Sequence, residues 1–143
     1  MVILTEIFNI AVYSVLGIIL MLAGNFLIDL IIPCHFPTEI KKGNQAVGWL
    51  SAGSFIGMAV ILKAAIMSPV VESIEETLAS GVINSILYFA IGVVFFIIGY
   101  FIVDFWNRKY RLSEEIGNGN VAAGIMVFGI FVALGIIISG VVM

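Results

Sequence analysis

TLASGVINSILYFAIGVVFFIIGYFIV, residues 77–103, carries no charged side chain over 27 consecutive positions. A helix rises 1.5 Å per residue, and about 20 apolar residues cross about 30 Å of hydrocarbon. The stretch is long enough for one crossing and too short for two. Its apolar residues are continuous rather than alternating in ten-residue segments, so a helix is expected and a barrel strand is not. Residues 7–28, 43–62 and 116–143 are also free of charge, over 22, 20 and 28 positions. Membrane helices are expected near 7–32, 44–68, 81–105 and 120–142.

Composition agrees. Of the 143 residues, 62% are apolar and 10% charged, with mean hydropathy +1.24. A soluble domain has about 25% charged residues to face water. This chain has too few for that, and it is too apolar for disorder. One membrane domain is expected over 1–143. The net charge of −3 implies neither an acidic nor a basic partner, and no nucleic-acid patch is visible. A lone cysteine, Cys34, excludes an intrachain disulfide.

The connections are read as loops. Pro33 and Pro37 bracket Cys34, His35 and Phe36; Pro69 ends the second helix; residues 107–111 are too charged for hydrocarbon; Gly117, Asn118 and Gly119 precede the fourth helix. The start has no basic segment and its first charge is Glu6, so no cleavable leader is expected. Lys41 and Lys42 fall in the first loop, and Arg108, Lys109 and Arg111 in the third. The middle loop, with Glu72, Glu75 and Glu76, has no basic residue. The positive-inside rule then places the first and third loops in the cytoplasm, and both termini and the middle loop outside. Trp49, Trp106 and Tyr110 fall where a cytoplasmic aromatic belt would lie.

The two halves match. At an offset of 75, Asn9 meets Asn84, Tyr13 meets Tyr88, Gly17 meets Gly92, Gly24 meets Gly99, Asp29 meets Asp104, and Glu39 meets Glu114. At an offset of 76, Ile40 meets Ile116, Gly43 meets Gly119, Asn44 meets Asn120, Ala46 meets Ala122, Gly48 meets Gly124, and Gly53 meets Gly129. Chance explains matched apolar residues here but not matched Asn, Asp, Glu and Tyr. The expected fold is all-α integral membrane, with four transmembrane helices as two tandem two-helix repeats, about 1–73 and 74–143. Two helices per repeat give both copies the same orientation, related by a pseudo-two-fold axis along the membrane normal.

Each half reads as a Gly-rich helix ending in Asp, a loop with Glu, and an Asn opening the next helix. This pattern resembles the YjfL-like family of small prokaryotic membrane proteins, domain of unknown function 350, over nearly the whole chain. The resemblance implies a duplicated four-helix protein of the prokaryotic cytoplasmic (inner) membrane. It implies no activity. Such proteins are often linked with membrane-maintenance proteins of the phage-shock or flotillin type. The loop from Pro33 to Pro37 is peculiar to this sequence and receives no role from the family.

Candidate residues are polar groups in or beside spans. Asp29 and Asp104 lie within about one turn of a helix C-terminus, where a carboxylate opposes the macrodipole. Each either ties its helix end to the following loop, through Lys41, Lys42, Arg108 or a Gly-Asn amide, or forms a gate or ion site. Asn44 and Asn120 either cap their helices or converge with the aspartates on one polar site. Asn9 with Tyr13, and Asn84 with Tyr88, sit at i and i+4 on one helix face. They either bond between helices or line a pore. Lys63 either snorkels and pairs with Glu6 or Glu72, or contacts a substrate. Gly53 and Gly57 form a GxxxG pattern serving internal packing or an oligomer contact equally well. Cys34 and His35 are too few for a metal site. No metal, cofactor or catalytic residue is expected, and the chain is read as non-enzymatic.

Two readings of function remain. One is a structural or scaffold subunit of a larger membrane assembly, in the lipid bilayer, as a homo-oligomer or in a membrane protein complex. The alternative is an oligomeric ion or small-solute channel, lined by stripes such as Asn9 or Ser51 and Ser54. Four helices leave no water-filled route inside one copy.

Overall fold

The computed structural model describes residues 2–68 and 77–142. They form six helices and one 3-10 turn: α1 (Val2–Ile31), α2 (Phe36–Lys41), α3 (Gln45–Met67), α4 (Leu78–Trp106), the turn Arg108–Tyr110, α5 (Leu112–Gly117) and α6 (Val121–Val142). Four of them, α1, α3, α4 and α6, are long and apolar enough to cross a membrane. No strand occurs among the described residues.

Helix ends differ from expectation for local reasons. α1 begins at Val2, because a single Glu6 near an end does not stop a helix. α4 begins at Leu78, because Thr77 and Ser80 form a reciprocal capping box. Two segments read as loops are short helices. In α2 proline occupies the first turn, where no N–H is needed. Phe36 in α2 and Leu112 and Ile116 in α5 are buried, and this packing holds helices too short to be stable alone.

α3 is the central helix, with twelve buried residues, against two (Gly24 and Ile28) in α1. It runs parallel to α6, and their backbones meet at small residues. A Cβ on Gly124 would lie 2.6 Å from Ala46 Cα; one on Gly53, 2.7 Å from Phe128 Cα; one on Gly57, 2.7 Å from the Phe131 carbonyl. Gly53 and Gly57 therefore serve packing within the chain. Phe96 of α4 stacks on Phe131 of α6, with centroids 5.0 Å apart, and Tyr100 lies 5.2 Å from Phe131.

α1 packs antiparallel on α3 through Gly17 against Leu62 and Gly24 against Met58. α4 packs on α6 through Gly92 against Ile138 and Gly99 against Leu134, residues 76 positions beyond Leu62 and Met58. Gly92 also lies against Ile61 of α3.

Candidate functional site

At the end where α1 and α4 finish and α3 and α6 begin, each half closes its loop by the same bonds. Gly43 (φ +78°) and Gly119 (φ +83°) occupy the left-handed region that glycine tolerates. The next residue is an Asn N-cap. Asn44 Oδ1 accepts from the amides of Ala46 (3.1 Å) and Val47 (3.3 Å), and Asn120 Oδ1 from those of Ala122 (3.1 Å) and Ala123 (3.4 Å). Asn44 Nδ2 donates to Glu39 (3.0 Å), and Asn120 Nδ2 donates to Glu115 (2.7 Å). Glu115, and not Glu114, therefore makes with Asn120 the bond that Glu39 makes with Asn44.

The two latches are not equal. Half-buried Asn44 also donates to the Ile116 carbonyl (3.0 Å), bonding one half of the chain to the other. Asn120 is exposed and has no such bond among the described residues. Hydrogen bonds from Lys42, 2.8 Å away, and then from Asn44 hold the Glu39 carboxyl below its ordinary 4.5. A depressed carboxyl stabilises the fold above its unfolded pKa, and this contribution is lost as pH falls through the folded one.

Asp29 finds its partners in the loop that received no role. One carboxylate oxygen accepts from the Phe36 amide (2.7 Å), and the other lies 3.1 Å from His35 Nδ1. A carboxylate can only accept, so this geometry places the His35 proton on Nδ1. The Asp29 side chain is 7% exposed. Lys41, Lys42 and Arg108 are not its partners: the ion pairs among the described residues are His35–Asp29, Lys42–Glu39 and Arg111–Glu114. Asp104, the matched acid, has no hydrogen bond or ion pair among the described residues. We expect Asp29→Ala to lower unfolding stability in detergent by about 1.5–3 kcal/mol, the usual range for charged hydrogen bonds. Asp104→Ala should change it by less than about 0.5 kcal/mol. Equal losses in chemical unfolding would contradict this assignment.

Cys34 lies beside the same clasp. Burial, and then the charges of Glu39 and Asp29, push its thiol up to about 11. Only the thiolate is nucleophilic. N-ethylmaleimide at pH 7.5 should therefore react on the order of 100-fold more slowly than with a free thiol of pKa about 8.5, gaining about tenfold per pH unit up to pH 10. Rapid labelling at pH 7.5 would show that Cys34 lacks this environment.

At the other end of the bundle Asn9, Tyr13 and Asn84 line one pocket of about 400 Å³ together with Ser80 and Ser85. Tyr88 does not join them; it is half-buried and packs on the core. Lys63 is exposed on α3, unpaired among the described residues. Glu72, Glu75 and Glu76 lie outside the described residues.

A polar contact missed from sequence ties α1 to α3: Ser54 Oγ donates to Asn25 Oδ1 and lies 2.9 Å from the Ser51 carbonyl. Ser54 is fully buried and Ser51 is buried, so neither is on a face that could line a pore between copies. Asn25 matches Tyr100 in the second half, so a search for repeated polar residues passes over it. Its amide within a charge-free run was the available signal.

A second cleft, about 520 Å³, lies beside the end of α4, lined by Pro33, Asp104, Arg108, Arg111, Ser113 and Glu114 among others. The Arg108 guanidinium lies 4.5 Å over the Phe105 ring, and Arg111 bonds Glu114 (3.1 Å). Arg111 has φ +44°, a left-handed conformation that costs a residue with a side chain about 1–2 kcal/mol.

No solved structure matches the chain. It is 27% identical over 134 residues to the UPF0719 transmembrane protein YshE of Bacillus subtilis, covering 94% of this chain and 92% of that one. It is 28% identical over 123 residues to a UPF0719 transmembrane protein of Aquifex aeolicus, covering 85% of this chain. The match spans 44% of the Aquifex protein's length. The family model described as Domain of Unknown Function (DUF350) matches residues 1–142. Spans, latches and family match agree, and this integral membrane chain belongs to the DUF350 family.

Proposed function

We propose that the chain is a non-enzymatic structural or scaffold subunit of a larger membrane assembly concerned with membrane maintenance. The observation that carries this reading is where the polar groups go. Asn25, Ser54, Asp29, Asn44 and Asn120 bond within the chain, while α1 presents Phe8, Ile18, Phe26 and Leu30 outward. An apolar exterior on an internally tied bundle suits contact with lipid and neighbouring subunits. Its place is the cytoplasmic membrane of a prokaryote, with the latch loops inside and both termini outside. The paired latches and the Gly17–Leu62 and Gly92–Ile138 contacts support a tandem duplication about an axis along α3 and α6.

Liposomes holding only this protein test the reading. They should conduct no ions, and mild-detergent purification should recover it as an oligomer or with membrane partners. A second reading, the oligomeric channel, is favoured by the pocket of Asn9, Tyr13 and Asn84. Flux abolished by Asn9→Leu in a stable, assembled protein would replace the first reading with the second.

A further inference from the structure

We propose that the cleft at the end of α4 binds a phospholipid with a zwitterionic headgroup bearing a primary ammonium, of the phosphatidylethanolamine class. Asp104 and Arg108 both line the cleft, four residues apart on one helix, yet neither belongs to an ion pair among the described residues. Asp104 sits less than one turn from the end of α4, where the helix dipole is already negative, so its carboxylate calls for a cation. Arg108 offers guanidinium donors to an anion, and Arg111 keeps donors free beyond its bond to Glu114. One ligand carrying both charges meets both needs.

Charge balance selects the headgroup. The lining holds two arginines and two carboxylates, a net charge of zero, which disfavours a purely anionic lipid. Among the described residues no aromatic side chain lines the cleft, so they form no cage of the kind that quaternary ammonium groups favour. A primary ammonium instead donates hydrogen bonds to Asp104, while the phosphate meets Arg108 and Arg111. Arg111 is held in a costly left-handed conformation at this rim, as strained residues at binding sites often are.

An apolar path leads away from the same rim. The Phe105 ring under Arg108 lines a groove with Ile98 and Ile102, and these two residues also line the groove between α4 and α6 that Phe95 borders. From Phe105 to Phe95 is ten residues, about 15 Å of helix, the depth of one bilayer leaflet. An acyl chain lies along it with the headgroup at the membrane surface.

Native mass spectrometry in mild detergent tests the proposal on the whole chain, titrated separately with dioleoyl phosphatidylethanolamine, phosphatidylcholine, phosphatidylglycerol, O-phosphoethanolamine and inorganic phosphate. We expect phosphatidylethanolamine to bind about tenfold tighter than the other two lipids, a difference of about 1.4 kcal/mol. Asp104→Asn should abolish that preference, and Arg108→Gln should weaken all three lipids about tenfold, at unchanged thermal midpoints. Equal binding of the three lipids overturns the proposal, as does a preference that survives Asp104→Asn in a folded protein. Inorganic phosphate competing as well as O-phosphoethanolamine would identify a simple phosphate site and overturn it too.

Discussion

Gly135→Ala is expected to destabilise the bundle by about 1–3 kcal/mol or more, the cost of forcing atoms into a packed interior. The added methyl would lie 2.6 Å from Gly57 Cα and 2.8 Å from its carbonyl oxygen. Both are backbone atoms, so no side chain can rotate away, and α3 and α6 must separate. Gly124→Ala meets Ala46 in the same way. Gly129 and Gly140 are the controls, with nothing among the described residues within 4 Å of an added Cβ. Alanine there removes the helix penalty of glycine, about 1 kcal/mol, so these variants should be neutral or slightly stabilised. Chemical unfolding in detergent reads all four. If Gly135→Ala matched Gly140→Ala, α3 and α6 would not form the close pair described.

The second large effect separates two asparagines that sequence treats as equivalent. Asn44→Ala removes a helix cap and the donor to Glu39, and leaves the Ile116 carbonyl without that partner. A lost cap costs about 0.5–2 kcal/mol, and the lost bond to the Ile116 carbonyl, which keeps its bond from the Gly119 amide, about 0.5–1.5, so the expected total is about 1–3.5 kcal/mol. Asn120→Ala loses a cap and the bond to Glu115 on an exposed residue, about 0.5–2 kcal/mol. Asn44→Asp keeps the capping oxygen but sets a carboxylate beside Glu39, 3.0 Å from the replaced nitrogen. Like charges oppose each other there, so this variant should be weaker at pH 7 than at pH 5, where partial protonation relieves the repulsion. The parent should keep the Glu39 contribution between pH 7 and pH 5 and lose it only below its ordinary 4.5, as the carboxyl that these bonds need takes up a proton. Equal losses in Asn44→Ala and Asn120→Ala would place no weight on the bond to Ile116.

Sequence by itself determined what depends on neighbours along the chain. The four spans follow from charge-free runs measured against bilayer thickness, and all four stand as helices within a few residues. The capping role of Asn44 and Asn120 was legible because a cap acts two and three residues ahead of itself. The short helices α2 and α5 were not, since six residues are too few to show a helical period and their stability comes from burying Phe36, Leu112 and Ile116.

Tertiary structure alone decided contacts between residues far apart in sequence. Nothing in the GxxxG pattern told Gly53 and Gly57 whether to face α6 or another copy; the parallel approach of α3 and α6 settled it. Asn25 met Ser54 only because α1 folds back on α3. Asp29 and Asp104 match in sequence, but His35 and the Phe36 amide fold over Asp29, while Asp104 lines a cleft that Arg108 and Arg111 also line. Local propensity and hydrophobicity are written into a single segment, whereas the partner of a polar group depends on which segment the fold brings beside it.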